Sequence, residues 1–539
     1  MAGFFHRTGG PRLQAHWLPV ISLAALRSRI GTRRDPHVTR KGSKQDMRDK
    51  PCGKRAATAA TSGSGGFELE PDPELIQDAM AWCAQHGLVY GAQNPADPCA
   101  LVHAPFALTP VPFPRQAFER AVAASTPFNA MIDRVARDEM YLTSVLDAAA
   151  KGDAEFTGKL MEIYKEEMQR RREKAERGEP LPREISLVLT RSDYMLHAPT
   201  STMLQVELNT IASSFGCLST LVGRLHRFIL GKAGLGQEEL DGRLPENKSM
   251  EALVDGLAVG VAAHGHPDKT MVMVVQPDEQ NSFDQQWLQF QLWDRYGIRT
   301  MRKSLREIEE EGTVDETTGH LTVGGKVASL VYFRAGYTPS DYFGDAEWAA
   351  RRTIERSSAC KCPTVAMQLA GSKKVQQDLA KPGVVERFAE SADAAALMRT
   401  CFAGLWGLDE LDSDADAQRA VRDAISNPDG YVLKPQREGG GNNMYGNELC
   451  EKLQSEDDLS DLVLMQKILP PSHRTTMVRR GMHETMDTLS ELGIYGVLLR
   501  IDDNVEVNRE AGLLVRTKPA VSAEGGVAAG FAVLDSPIL

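Results

Sequence analysis

Apolar positions along this chain follow two periodicities, and the switches between them mark the elements. Leu75, Ile76, Ala79 and Met80 recur at helical spacing, with Pro71 and Pro73 near the start, which predicts a helix over 72–85. Residues 130–177 are rich in helix formers and end in a charged run, 165–177, that reads as a solvated helical face. Apolar, β-branched runs at 185–189, 203–208 and 271–276 each predict a strand. A helix is expected around 286–296, with further strands at 298–301 and 327–333. This alternation predicts α/β units in the middle of the chain. Beyond residue 430 strands dominate, at 431–433, 463–465, 496–499, 513–516 and 531–533.

The chain has 539 residues, of which 42% are hydrophobic, enough for two to four domains with a large core. Its net charge of −11 is unevenly spread. Residues 1–65 hold thirteen Lys/Arg and three Asp/Glu, a net +10 that leaves the remainder at −21. An acidic body argues against a nucleic-acid partner. The basic start is Arg-rich, Ser/Ala-containing and acid-poor, the composition of an organellar transit peptide or of a disordered extension. Its apolar patch, 17–26, is about half the length a bilayer span needs. No membrane association is therefore expected, and the protein reads as intracellular: cytosolic, or in a plastid or the mitochondrial matrix if the extension is a transit peptide. The eight cysteines show no disulfide or zinc spacing and read as small buried hydrophobes. The histidines read as structural.

The chemistry concentrates after the run 431–433. Lys434-Pro435-Gln436-Arg437-Glu438 leads into Gly439-Gly440-Gly441-Asn442-Asn443-Met444-Tyr445. Three consecutive glycines cost backbone entropy and pack nothing, yet they let N–H groups close over an anion. Lys434 can neutralise phosphate, and Glu438 can hold Mg²⁺. A flexible surface turn is the plainer alternative. No G-x-x-x-x-G-K-[ST] motif occurs, so this is not a P-loop.

Other clusters stand beside it. Glu207 and Asn209 share one face of a strand, where two oxygen donors can share a hard cation. The small residues Ile211-Ala212-Ser213-Ser214 follow, and no base motif activates either serine. Arg191-Ser192-Asp193-Tyr194 comes just after a strand, and Arg334-Ala335-Gly336-Tyr337 after another; both arginines can fork a carboxylate or form surface salt bridges. Lys373 and Lys374 can reach phosphates. Arg516-Thr517-Lys518 precedes Glu524-Gly525-Gly526-Val527-Ala528-Ala529-Gly530, a segment fit for a close cover or a tight turn.

From about residue 72 to the C-terminus these motifs resemble the eukaryotic-type glutathione synthetases of the ATP-grasp superfamily. Further shared blocks are Phe283-Asp284-Gln285, residues 368–377 from Gln368, and Ser490-Glu491-Leu492-Gly493. The resemblance implies an α/β (α+β) ATP-grasp fold. Residues 66–266 and 372–539 would form the ATP-binding part, with a smaller α/β substrate-binding domain inserted at 267–371. It implies a ligase that phosphorylates the terminal carboxylate of γ-glutamylcysteine with ATP, attaches glycine and releases ADP and phosphate. Its partners would be these substrates and, in a homodimer, a second copy; Mg²⁺ would be the cofactor.

Carried over by position, Glu207, Asn209 and Glu438 are the implied metal ligands. ATP contacts would be Glu207, Lys373, Lys434 to Asn443, Tyr445, Met465, Gln466, Lys467, Ile468, Glu491, Lys518 and Glu524. Arg191, Ile211 to Ser214, Glu279, Gln280, Asn281, Gln285, Arg334 to Tyr337, Arg516, Val527 and Ala528 would hold the peptide substrates. Arg516, Lys373 and Lys434 would do the catalytic work. The chain departs from the family pattern at Ala335, where Asp is common, and at Gln280, where Arg is frequent. It departs also at Gln466 and Glu524, where Glu and Asp are usual. Two alternatives remain: a sister synthetase using β-alanine or serine, and a non-catalytic homologue.

Overall fold

The computed structural model describes residues 60–61, 67–92, 100–277, 279, 281–409, 411, 413–435, 443–455, 458–460, 462–522, 526–527 and 530–539. The predicted first helix is α1 (Pro73–His86), where Asp72 accepts the Glu74 N–H at 3.0 Å and Pro73 opens the first turn. Strands β1 (Val89–Gly91) and β2 (Leu101–His103) pair, and β3 (Phe106–Ala107) follows. Helix α2 (Arg115–Arg137) leads, through shorter helical turns, to α3 (Lys159–Glu176), whose charged outer face is the expected solvated one.

The first long strand runs further than its apolar run suggests. β4 spans Ile185–His197, so Arg191, Ser192 and Asp193 lie inside it rather than after it. The polar residues continue the ladder because each is buried against a partner instead of facing water. β5 (Thr202–Asn209) returns antiparallel beside it. Helices α4 (Gly216–Lys232) and α5 (Ser249–His264) follow.

The α/β units expected from the alternation are present. β6 (Thr270–Val274), α6 (Ser282–Tyr296), β7 (Arg299–Lys303), β8 (Lys326–Phe333), α7 (Asp345–Arg356) and β9 (Cys360–Cys362) place their strands in the parallel order β7-β6-β8-β9. Every residue of β6 is buried, as a parallel strand covered on both faces requires. Helices α8 (Val365–Ala370) and α9 (Lys373–Ala380) then lead away.

A separate three-stranded antiparallel sheet comes next. It comprises β10 (Leu405–Gly407), β11 (Tyr431–Pro435) and β12 (Leu462–Gln466), with α10 (Ala415–Ser426) and α11 (Gly446–Gln454) beside it. Leu433, Leu449, Leu453 and Leu464 form its own small core with Ala420 and Ala424. The chain then returns to the large sheet through β13 (His473–Arg479), β14 (Met482–Ile501) and β15 (Asn504–Pro519). The final strand expected at 531–533 is shifted to β16 (Val533–Asp535), where Leu534 pairs with Phe106.

β9 pairs with β4 and β4 with β14, which joins the parallel strands to the antiparallel ones in a single thirteen-stranded sheet. Its two faces are separate cores, set by strand alternation. Val188 packs with Phe128 and Met131 of α2, while Leu187 and Leu189 pack with α4 and α5. Cys83, Cys217, Cys360, Cys362 and Cys401 are buried in these cores as free thiols. His226 is buried too, bonded to Ser536 and the Ala107 carbonyl. Among the described residues no helix is long and apolar enough to cross a membrane.

Candidate active site

Four adjacent strands of the large sheet bring a cluster of charged side chains together. β5 presents Glu207 and Asn209, β4 presents Arg191 and Asp193, and the paired β14 and β15 present Glu491 and Arg516 in register. The side chains meet at Asp193, which is fully buried. Its carboxylate accepts Arg191 Nε at 2.6 Å and Nη2 at 2.7 Å, Asn209 Nδ2 at 3.0 Å and Arg516 Nη2 at 3.1 Å. Arg516 also donates to Glu491. Asn209 Nδ2 lies 3.3 Å from Glu207 Oε1, so these two donors are side by side as the strand alternation predicts.

Gly493, on β14 opposite Asp193, makes room for this knot. A Cβ there would sit 2.7 Å from Asp193 Oδ1 and 2.9 Å from Arg191 Cδ. Gly371 plays the same part beside β5, where a Cβ would overlap the Thr210 side chain.

Two lysines from other elements complete the cluster. Lys373 opens α9, and Lys434 comes from β11 of the small sheet. Burial pushes the Glu207 carboxyl up, but Lys373, Arg516, Arg191 and Lys434 together outweigh it and hold Glu207 below the usual glutamate range. Burial and the neighbouring Lys373 push the Lys434 ammonium down, against the pull of Glu207 and Glu491. Two ammonium groups forced this close favour an anion between them. Lys374, grouped with Lys373 in the sequence, instead turns inward to Asp409 at 2.5 and 2.6 Å and Gln377 at 2.9 Å. It anchors α9 rather than facing the cluster.

A second set of residues gathers where the β5–α4 connection meets the end of β8. Arg334 is buried and donates to the carbonyls of Ala212, at 3.0 Å, and Ser213, at 2.9 Å. Ser213 Oγ donates to the Leu189 carbonyl, and the Tyr495 hydroxyl to that of Ser214. Asp284 of α6 accepts the N–H groups of Phe215, Cys217 and Leu218 at 2.8–3.2 Å, which fixes the start of α4. Glu279 accepts the Asn281 N–H at 2.7 Å and a Gln285 amide N–H. The Gly336 and Tyr337 N–H groups point at Asp341, at 2.8 and 3.1 Å. Ile211, Ala335 and Val527 are buried.

In the small sheet, Met465 and Ile468 are buried, and Gln466 Oε1 accepts the Gly404 N–H at 3.1 Å. Lys467 lies over the Tyr445 ring, 5.9 Å from its centre, and Asn443 donates to the Tyr445 hydroxyl at 3.4 Å. Lys518 sits two residues beyond Arg516 on β15. Gln436 to Asn442, with Glu438 and the three glycines, lie outside the described residues, as do Gln280, Glu524 and Ala528. Among the described residues no three His, Cys, Asp or Glu side chains converge on a metal position.

Asp193, Asp284 and Gly493 were not among the expected site residues. Asp193 was within reach of sequence reasoning, since it stands two residues from Arg191 and strand alternation places both on one face. Asp284 and Gly493 act through long-range contacts that no local pattern reveals.

A large mixed sheet and a small antiparallel sheet, with Lys373 of α9 and Lys434 of β11 drawn to one acidic strand end, define an ATP-grasp ligase. A family model for the eukaryotic glutathione synthase ATP-binding domain matches residues 70–539, and the chain belongs to that family. It is 44% identical over 473 residues to the chloroplastic glutathione synthetase of Solanum lycopersicum, covering 86% of this chain and 83% of that one. It is 35% identical to the glutathione synthetase of Homo sapiens, covering 86% and 96%. A glutathione synthetase-like effector from Globodera pallida has the same fold, with a TM-score of 0.68 at 22% identity over 87% of this chain and 98% of that chain.

Proposed function

We propose that the charged strand end is where ATP phosphorylates a peptide carboxylate and where the acyl phosphate is then captured by glycine. Membership in the family carries the overall activity: ATP-dependent joining of γ-glutamylcysteine to glycine, with ADP and phosphate released. The convergence of Lys373, Lys434 and Arg516 on Glu207, from three separate parts of the chain, is the observation that carries this assignment. Phosphoryl transfer needs position and charge neutralisation more than a protein nucleophile, and among the described residues this cluster is built of charged side chains.

In this reading Lys373 and Lys434 flank the transferred phosphate and Lys518 supports them. Arg516 stabilises the charge that develops on the reacting carboxylate, held in place by Asp193 and Glu491. Met465 to Ile468, Tyr445 and Glu491 take the nucleoside. Glu207 and Asn209 suit Mg²⁺, being adjacent oxygen-bearing side chains with Glu207 held ionised, and Glu438 completes the set. When bound, the ion supplies neutralisation of phosphate charge. Arg191, Ile211 to Ser214, Glu279 to Asn281, Gln285, Arg334 to Tyr337, Val527 and Ala528 hold the peptide. The glycine loop and the segment at 524–530 exclude water from the acyl phosphate.

The same reading keeps 267–371 as the substrate-binding part, although its strands continue the large sheet. It takes the first 65 residues as a plastid transit peptide, in keeping with the chloroplastic relatives, and the working form as a homodimer. The test is ADP release from residues 66–539 with Mg-ATP and γ-glutamylcysteine, comparing glycine, β-alanine and serine, with product mass measured. Turnover with glycine is expected. Preference for another acceptor refutes the glycine assignment, and no acceptor-dependent turnover refutes the ligase reading.

A further inference from the structure

The connection between β5 and α4 carries Ile211, Ala212, Ser213 and Ser214, all assigned above to the peptide site. Its backbone is bent against the preference of its side chains. The φ angle is 53° at Ala212 and 72° at Phe215, both in the left-handed region. Residues with a Cβ persist there only where their surroundings over-determine the conformation.

The carbonyls of this loop show what holds it. Arg334 donates to those of Ala212 and Ser213. The next carbonyl, of Ser214, accepts the Tyr495 hydroxyl at 2.5 Å, and Arg191 Nη1 stands further off at 3.5 Å. A peptide unit is planar, so the Ser214 carbonyl and the Phe215 N–H move together. Asp284 holds that N–H at 2.8 Å. The plane that sets the Phe215 φ is therefore gripped at one end by Tyr495 and at the other by Asp284. With the carbonyls engaged, the N–H groups of Ala212, Ser213 and Ser214 bond nothing among the described residues, which leaves them for a ligand.

Tyr495 is fully buried and stands opposite Arg191 on β4. Alternation puts it on the same face of β14 as Glu491 and Gly493. On that face Glu491 bonds Arg516, and Gly493 makes room for Asp193. The Tyr495 ring lies against the start of α4, where a Cβ on Gly216 would be 3.7 Å from Cζ. Burial pushes the phenol up, so the hydroxyl remains a donor at working pH. A phenylalanine ring would fill the same space, and the bond to Ser214 is what the hydroxyl adds.

We propose that Tyr495 is a positioning residue for the ligation: by holding the Ser214 carbonyl it keeps the loop 211–215 in the conformation that receives the peptide, without touching the substrate. The proposal rests on the peptide-ligase reading of that loop. One face of β14 then serves both halves of the reaction, the charged knot through Glu491 and Gly493 and the peptide loop through Tyr495.

The experiment compares the parent chain with Tyr495→Phe and with Tyr296→Phe, which removes a hydroxyl bonded to Asp255 at 2.7 Å, away from the loop. Loss of one buried hydrogen bond predicts a γ-glutamylcysteine KM raised about threefold to tenfold in Tyr495→Phe. The KM for ATP, and kcat at saturating peptide, should stay within about twofold of the parent. Tyr296→Phe should lower the melting temperature by a similar amount and leave the peptide KM unchanged, which separates positioning from general loosening. An unchanged peptide KM in Tyr495→Phe overturns the proposal. An equal rise in the KM values for peptide and ATP, or the same peptide KM rise in Tyr296→Phe, does so too. If the parent chain shows no turnover, the ligase reading falls. Calorimetric binding of γ-glutamylcysteine to the parent and Tyr495→Phe then decides the role of Tyr495: affinity weakened by the same factor supports it, and equal affinity overturns it.

Discussion

Replacing Asp193 by alanine removes the anion on which the charged knot is built. The carboxylate is fully buried and accepts two bonds from Arg191, one from Asn209 and one from Arg516, all between 2.6 and 3.1 Å. A hydrogen bond to a charged group is worth roughly 1.5–3 kcal/mol, and such bonds do not add within one network. The governing cost is the Arg191 guanidinium left buried without its anion, about 3–5 kcal/mol for breaking one side of a buried pair. We expect a stability loss of about 4 kcal/mol, read from urea unfolding followed by tryptophan fluorescence. Arg191→Ala should cost a similar amount for the reciprocal reason. The double variant removes both charges and should be less destabilised than the sum of the two singles by at least about 2 kcal/mol. Single losses below about 1 kcal/mol, or additivity within about 0.5 kcal/mol, would refute the idea of one shared buried anion. The catalytic effect should also exceed the stability effect: at temperatures where the variant is fully folded, kcat should still fall, because Arg516 loses its second anchor.

Three further outcomes are expected. Gly493→Ala places a methyl group 2.7 Å from Asp193 Oδ1, so it should cost about 1–3 kcal/mol by overpacking and lower activity; a neutral result in urea unfolding and turnover would remove Gly493 from the site. Burial pushes the Asp535 carboxyl up to about 8, despite the Thr517 hydroxyl at 2.6 Å. Because this folded value lies above the unfolded one, near 4, its contribution is present at low pH and is lost as pH rises toward 8. Between pH 6.5 and 8 the chain should lose about 1.5 kcal/mol of stability, a slope that Asp535→Asn abolishes; an equal slope in both proteins contradicts the buried protonated carboxyl. Glu438→Ala should collapse turnover and raise the Mg²⁺ requirement while leaving the melting temperature unchanged, and near-parent activity at limiting Mg²⁺ would exclude it as a metal ligand.

What could be read from the chain alone was whatever depends on neighbours in sequence. Helical spacing located α1, with Pro71 and Pro73 marking its start, and apolar, β-branched runs located β5, β6 and β8, because these preferences are local effects. Glu207 and Asn209 were legible as a pair for the same reason. The ordered motif blocks carried the family, and with it the activity. The tertiary structure decided where burial overrode local pattern. β4 runs through Arg191, Ser192 and Asp193 because β5 and β14 supply partners on either side, which no apolar count foresees. Of two adjacent lysines, Lys373 joins the charged cluster and Lys374 pairs with Asp409, since one helix start turns consecutive side chains in different directions. The knot around Asp193 draws its residues from distant segments. Its energetics lie in desolvated charge, a quantity that exists only once the sheet has assembled.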